Sequence, residues 1–133
     1  MKRLFLDDIR NPIDCTKYMT PSDIYFGDWD IVRNYDEFVN YIKVNGIPDI
    51  ISFDHDLADE HYDPSMYYLT PTYNEKYETF REKTGYDCVK FMGEYCIENS
   101  IPIPICYIHS MNPVGRENIK NVLVNLRKIE MKG

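Results

Sequence analysis

Two short apolar runs in this chain stop abruptly at acids. Leu4-Phe5-Leu6 runs into Asp7-Asp8, and Ile50-Ile51-Ser52-Phe53 runs into Asp54-His55-Asp56. Short runs of aliphatic and aromatic residues are the pattern of strands buried on both faces, as in a parallel sheet, and the sudden change to charge marks where each leaves the core. Residues 103–108 form a third run, which finishes at His109-Ser110, and Trp29 to Val32 reads as a weaker strand.

Parallel strands need long crossovers, usually helical, and helix signals stand between these runs. Asn34 and Glu37 form a capping-box pair ahead of Phe38, Tyr41 and Ile42, and Gly46 ends that helix. Thr84 and Asp87 cap a second helix, with Cys88, Val89, Met92 and Cys96 on one face and an end near Asn99, ahead of Pro102. Asn112-Pro113 starts a third, whose buried stripe is Ile119, Val122, Leu123 and Leu126. Residues 10–27, with Pro12 and Pro21, read as a long loop or a broken helical turn. The tail from Arg127 to Gly133 is too short to add both another helix and another strand. The expected organisation is a single α/β domain over residues 1–133, with a polar, tyrosine-rich insertion at about 58–83.

Charge and cysteine usage narrow the partners. A net charge of -7 gives no basic footprint for a long nucleic-acid polymer, which is held by clustered Lys and Arg. No apolar run reaches the length of a membrane span, and the acids at Asp7-Asp8 come too early for a signal peptide, so a cytoplasmic protein is expected. Cys15, Cys88, Cys96 and Cys106 form no CxxC pair and are expected as free thiols.

In an open parallel sheet, ligands bind at the carboxyl ends of the strands, where all the residues with chemistry collect here. Asp7, Asp8, Asp54 and Asp56 would bring up to four carboxylates to one edge. Such a group repels itself unless a cation or shared protons compensate, and an oxygen-rich set suits Mg²⁺ or Mn²⁺. His109 is placed to serve there as general acid or base. His55, flanked by acids, should by strand alternation point to the other face and ranks below it, while His61 in the insertion is uninformative. Ser110, Asn112 and the amides around Gly115 open a helix whose N-terminus can hold a phosphate, although Asn112 is also explained as the cap. Arg10 and Arg116 could neutralise a phosphate. The tyrosines Tyr62, Tyr67, Tyr68, Tyr73 and Tyr77 either stack on a base as a lid or pack the insertion onto the domain.

The segments LFLDDIRNP, IISFDHDL, TGYDCVKFM and YIHSMNPVGRENI, in that order and spacing, resemble the cyclic-phosphate-processing receiver domains. The resemblance omits residues 14–26 and the insertion. It implies a receiver-like, flavodoxin-like three-layer sandwich with a mostly parallel, truncated sheet of about four strands. It also implies that Asp7 and Asp8 match the acidic pair that binds Mg²⁺ in receivers, Asp54 the phosphoacceptor, Asp56 the position two residues on, and Ser110 approximately the receiver hydroxyl. Receivers carry a Lys at the end of a fifth strand. Here Lys128 and Lys132 have no strand to present them, which weighs against phosphorelay signalling. The activity implied is a metal-dependent phosphodiesterase or phosphohydrolase acting on a cyclic phosphate of a nucleotide or RNA end. The alternatives are a protein that sequesters a cyclic nucleotide without turnover and a phosphoacceptor receiver domain in signalling.

Overall fold

Arg3–Leu6 (β1), Asp30–Val32 (β2), Ile50–Phe53 (β3) and Ile105–Ile108 (β4) pair into one sheet in the order β2-β1-β3-β4, with every neighbouring pair parallel. The computed structural model describes residues 1–20, 22–55 and 84–132. The tyrosine-rich insertion and its proposed lid therefore lie outside the described residues, as do Asp56 and His61. β3 is central and buried at all four positions, which is why it carries no charge and only one small polar residue, Ser52.

Strand alternation gives the sheet two unlike faces. Leu4, Leu6, Ile51 and Phe53 point into the larger core. There they meet Phe38 and Ile42 of Tyr35–Asn45 (α2), Val89 and Met92 of Gly85–Glu98 (α3), and Ile119 and Leu126 of Pro113–Lys132 (α4). Burying each such side chain contributes roughly 1.5–3 kcal/mol. On the opposite face Phe5 packs with Cys15, Tyr25, Met19, Ile24 and Trp29, all from the segment between β1 and β2. That segment was expected as a loop or broken turn. It contains the single-turn helix Pro12–Cys15 (α1) and a 3-10 turn at Asp23–Tyr25. Pro12 occupies the first helical position, where its missing N–H costs nothing, and the Asn11 amide donates to Asp14 at 2.8 Å.

The expected caps form. The Asn34 side chain accepts the Glu37 N–H at 2.9 Å, and the Thr84 amide donates to Asp87 at 2.8 Å. Gly46 closes α2 with a φ of 83°, a region that glycine enters without steric cost. The last strand is shorter than residues 103–108. Pro104 brings no N–H, the Ile103 N–H goes to Glu130 at 2.6 Å, and Arg127 takes the carbonyls of Ile103 and Pro104. Glu130 and Arg127 belong to α4, so the tail beyond Leu126 continues that helix to Lys132 and ties down the entry to β4. Among the described residues there is no fifth strand, and no helix is long and apolar enough to cross a membrane.

Candidate functional site

Register alone assembles the site. β1 and β3 align Leu6 with Phe53, and β3 and β4 align Phe53 with Ile108. One residue further on, Asp7, Asp54 and His109 fall into a single row, held by Asp54 N–H to Leu6 O and His109 N–H to Phe53 O, each 3.0 Å. Because Leu6 also aligns with Val32, the row begins with Arg33 on β2. Alternation places the three side chains on the face of Phe5 and Ser52, beneath the β1–β2 segment. One ligand atom from each of Asp7, Asp54 and His109 lies within 4.8 Å of the others. This edge is the point between β1 and β3 where chain order reverses, the ligand position of open α/β sheets.

Asp7 is fully buried, accepts three N–H groups and pairs with the Arg10 guanidinium. Its Oδ1 takes the amides of Ile9 and Arg10 at 3.0 and 2.8 Å, and its Oδ2 takes His109 Nε2–H at 3.0 Å and forms an ion pair with Arg10 Nε at 3.2 Å. Burial alone would push this carboxyl up. The bonds from His109 and the two amides outweigh it and bring Asp7 down to about 2, so it is ionised at neutral pH. The other end of the Arg10 guanidinium reaches Asp54 Oδ1 at 3.8 Å. Burial works against the guanidinium, but the charges of Asp7 and Asp54 and the Tyr18 phenol hold its pKa above the ordinary value. A single cation thus spans two buried carboxylates, which answers their mutual repulsion. The Asp54 oxygen facing Arg10 also accepts the His55 N–H at 2.9 Å.

His109 sits beside the carboxylates, as expected, but its ring has no exposed surface. Phe5 stacks on it at 4.4 Å with an interplanar angle of 7°, and Tyr25 meets it edge-on. Nε2 faces Asp7, and Nδ1 lies 2.7 Å from Ser52 Oγ, which lies 2.8 Å from the Tyr25 hydroxyl. Burial lowers the pKa of the imidazole against the upward pull of Asp7, which favours the neutral ring. The backbone carbonyl of His109 accepts the Tyr18 hydroxyl at 2.8 Å.

The remaining expected residues divide. Asp8, half-buried, is not part of the Asp7–Asp54–His109 group. His55 points away from that row. Its ring lies against the first turn of α4, where a Cβ on Gly115 would come within 2.3 Å of the imidazole. Asn112 acts as the cap, accepting the amides of Val114 and Gly115 at 3.1 Å each, so the Gly115 N–H is engaged within the helix start. Ser110 is buried, and its hydroxyl accepts the Asn112 amide at 3.2 Å. Arg116 lines a separate hollow with Ile108, Pro113, Glu117 and Lys120.

Four residues at the site have no functional role in the sequence reading: Arg33, Ser52, Tyr18 and Tyr25. Arg33 donates to the carbonyls of Asp7 and Arg10 and to the Asn11 side chain, pinning the turn that carries Arg10. Its signal was available, since it follows β2 as Asp7 follows β1. Ser52 is a small residue inside a buried strand, and the two tyrosines lie in a segment without periodicity. Nothing local marks them.

The topology and the acidic edge define a receiver-like α/β domain of the flavodoxin type. A model of the cyclic-phosphate processing receiver domain matches residues 2–125, and the chain belongs to this family. No curated protein and no solved structure matches the chain.

Proposed function

We propose that the protein opens a cyclic phosphate ester of a nucleotide or RNA end by hydrolysis at the Asp7–Asp54–His109 row, with a divalent cation, Mg²⁺ or Mn²⁺. The observation that carries this reading is one guanidinium spanning two buried carboxylates at the sheet edge, 3.2 Å from Asp7 and 3.8 Å from Asp54. It marks a place where positive charge is required. The donor set suits a hard ion, with Asp54 and Asp7 as holders and Asp8 and Asp56 adjoining in sequence. Bound there, the ion would supply polarisation of a phosphoryl oxygen.

The chain's own groups have separable parts. Arg10, partly exposed, turns its guanidinium from the carboxylates to the nonbridging oxygens of the phosphate. Asp54 accepts a proton from the attacking water. The water oxygen bonds to phosphorus, one ring P–O bond breaks, and the departing alkoxide takes up a proton, leaving an acyclic monoester. His109, enclosed by Phe5 and Tyr25, acts through Asp7: its N–H keeps that carboxylate ionised and aimed. This departs from an imidazole working directly on substrate. His55, packed against the start of α4, faces away from the row.

The test is ring opening of nucleoside 2′,3′-cyclic, nucleoside 3′,5′-cyclic and cyclic oligonucleotide phosphates with Mg²⁺ or Mn²⁺, in wild type, Asp54→Ala and His109→Ala. Turnover in wild type and a loss of about 10²-fold or more in Asp54→Ala are expected. Survival of every substrate, or full turnover in both variants, would sink the proposal. Ligand bound and recovered unchanged would instead indicate sequestration, and alkali-labile phosphate on Asp54 from acetyl phosphate would indicate a phosphoacceptor.

A further inference from the structure

We propose that Tyr25 and Ser52 are positioning residues: they form a one-directional hydrogen-bond chain that holds His109 as the Nε2–H tautomer and so presents an N–H to Asp7. The inference rests on the reading of the row as the reacting site, but the chain itself follows from geometry. Two backbone amides donate to Asp7 and the Arg10 guanidinium pairs with it, so its carboxylate only accepts and His109 Nε2, 3.0 Å away, must carry a proton. In the neutral ring Nδ1 is then a bare acceptor, and the group 2.7 Å away is the Ser52 hydroxyl, which must donate. The Ser52 oxygen in turn accepts from the Tyr25 hydroxyl at 2.8 Å. Burial, only partly offset by the Ser52 contact, pushes the Tyr25 phenol up to about 12, so it keeps its proton and remains the terminal donor.

Two buried hydroxyls could merely satisfy each other, and that explanation covers Tyr25 and Ser52 alone. It does not explain why the chain continues to an imidazole and ends on a buried carboxylate that two backbone amides and Arg10 also hold. The opposite tautomer would turn a lone pair of Nε2 toward the Asp7 carboxylate and leave two donors, Nδ1–H and Ser52 O–H, to be accommodated. Ser52 therefore secures the ring from the end remote from Asp7, and Phe5, stacked at 4.4 Å, fixes its plane. Tyr25 and Ser52 reach this place from a 3-10 turn and from the middle of β3. The cover over the thinner face is thus part of the machinery.

The experiment is two-dimensional ¹H–¹⁵N spectroscopy of the histidine rings in the full-length protein, with His109 isolated by the His55→Gln/His61→Gln background. The expected pattern is a proton on Nε2 and a bare, hydrogen-bonded Nδ1. The Nδ1 resonance should move toward that of a free bare nitrogen in Ser52→Ala, return in Ser52→Thr, and move less in Tyr25→Phe. Turnover in Ser52→Ala should fall about 10- to 100-fold through kcat, with KM little changed. A proton on Nδ1 in the wild type overturns the proposal. So does an Nδ1 resonance indifferent to Ser52→Ala; if that variant fails to fold, the near-isosteric Tyr25→Phe gives the same reading. The predicted spectra without turnover of any cyclic phosphate would defeat the proposed reaction alone, whereas turnover with an unmoved Nδ1 would defeat the hydrogen-bond chain alone.

Discussion

The two faces of the sheet are built from the same strands and do different work. Under the three long helices, contacts are apolar: Leu4, Leu6, Ile51 and Phe53 against Phe38, Val89, Met92 and Ile119. Under the short β1–β2 segment, alternate residues of those strands are Phe5, Asp7, Ser52, Asp54 and His109. There aromatic rings enclose a hydrogen-bonded polar row. Apolar burial does not depend on direction, whereas a buried polar group is tolerated only when its bonds are met. One face can therefore supply most of the stability while the other spends its buried volume on placing charge.

Substitutions can break that division. Phe53→Ala, on the helical face, should cost about 3–5 kcal/mol in urea unfolding and leave the His109 ring resonances in place. Resonances that shift as much as in Ser52→Ala would show the faces to be mechanically joined. Gly85→Ala probes a point where α3 meets the backbone that carries Asp54. Its Cβ would stand 1.7 Å from the Asp54 carbonyl oxygen, and the Gly85 amide bonds His55 O at 2.7 Å. A loss of about 1–3 kcal/mol is expected, together with weakened turnover, because α3 must retreat from the residue before it.

Acid should act on the polar face through Asp7. Asp7 falls from an ordinary 3.8 to about 2 in the folded protein, so the stability it contributes is complete above pH ~4 and disappears as pH drops through about 2. The difference in urea midpoint between wild type and Asp7→Asn should shrink over that window by the equivalent of about 2 kcal/mol. A difference that stays constant with pH would deny the carboxylate its hydrogen-bonded role. The smallest effect belongs to Tyr25→Phe, which removes one hydroxyl from a dry cluster and should cost about 1 kcal/mol.

How far the chain could be read in advance follows the same division. Strands and helices on the apolar side announce themselves by period and by caps, and Asn34, Thr84 and Asn112 all start helices as read. Asp7, Asp54 and His109 were visible because charge follows an apolar run. The neighbours that give them their roles were not. Ser52 resembles filler in a strand, and Tyr25 reaches it from 27 positions away, a pairing that exists only after the β1–β2 segment has folded over the sheet. The start of β4 was misjudged for a similar reason, since the partner of the Ile103 amide is Glu130 at the far end of α4.

The register that lines up Arg33, Asp7, Asp54 and His109 has a bearing on which lengths of chain can change. Each strand residue advances the backbone by about 3.3 Å. Adding or deleting one inside β1, β3 or β4 would carry a member of the row out of hydrogen-bond range and turn its side chain to the other face. Outside the β1–β2 segment, which holds Arg10, Tyr18 and Tyr25 against the row, the connections carry no such constraint, so relatives should vary more in those spacings than within the strands.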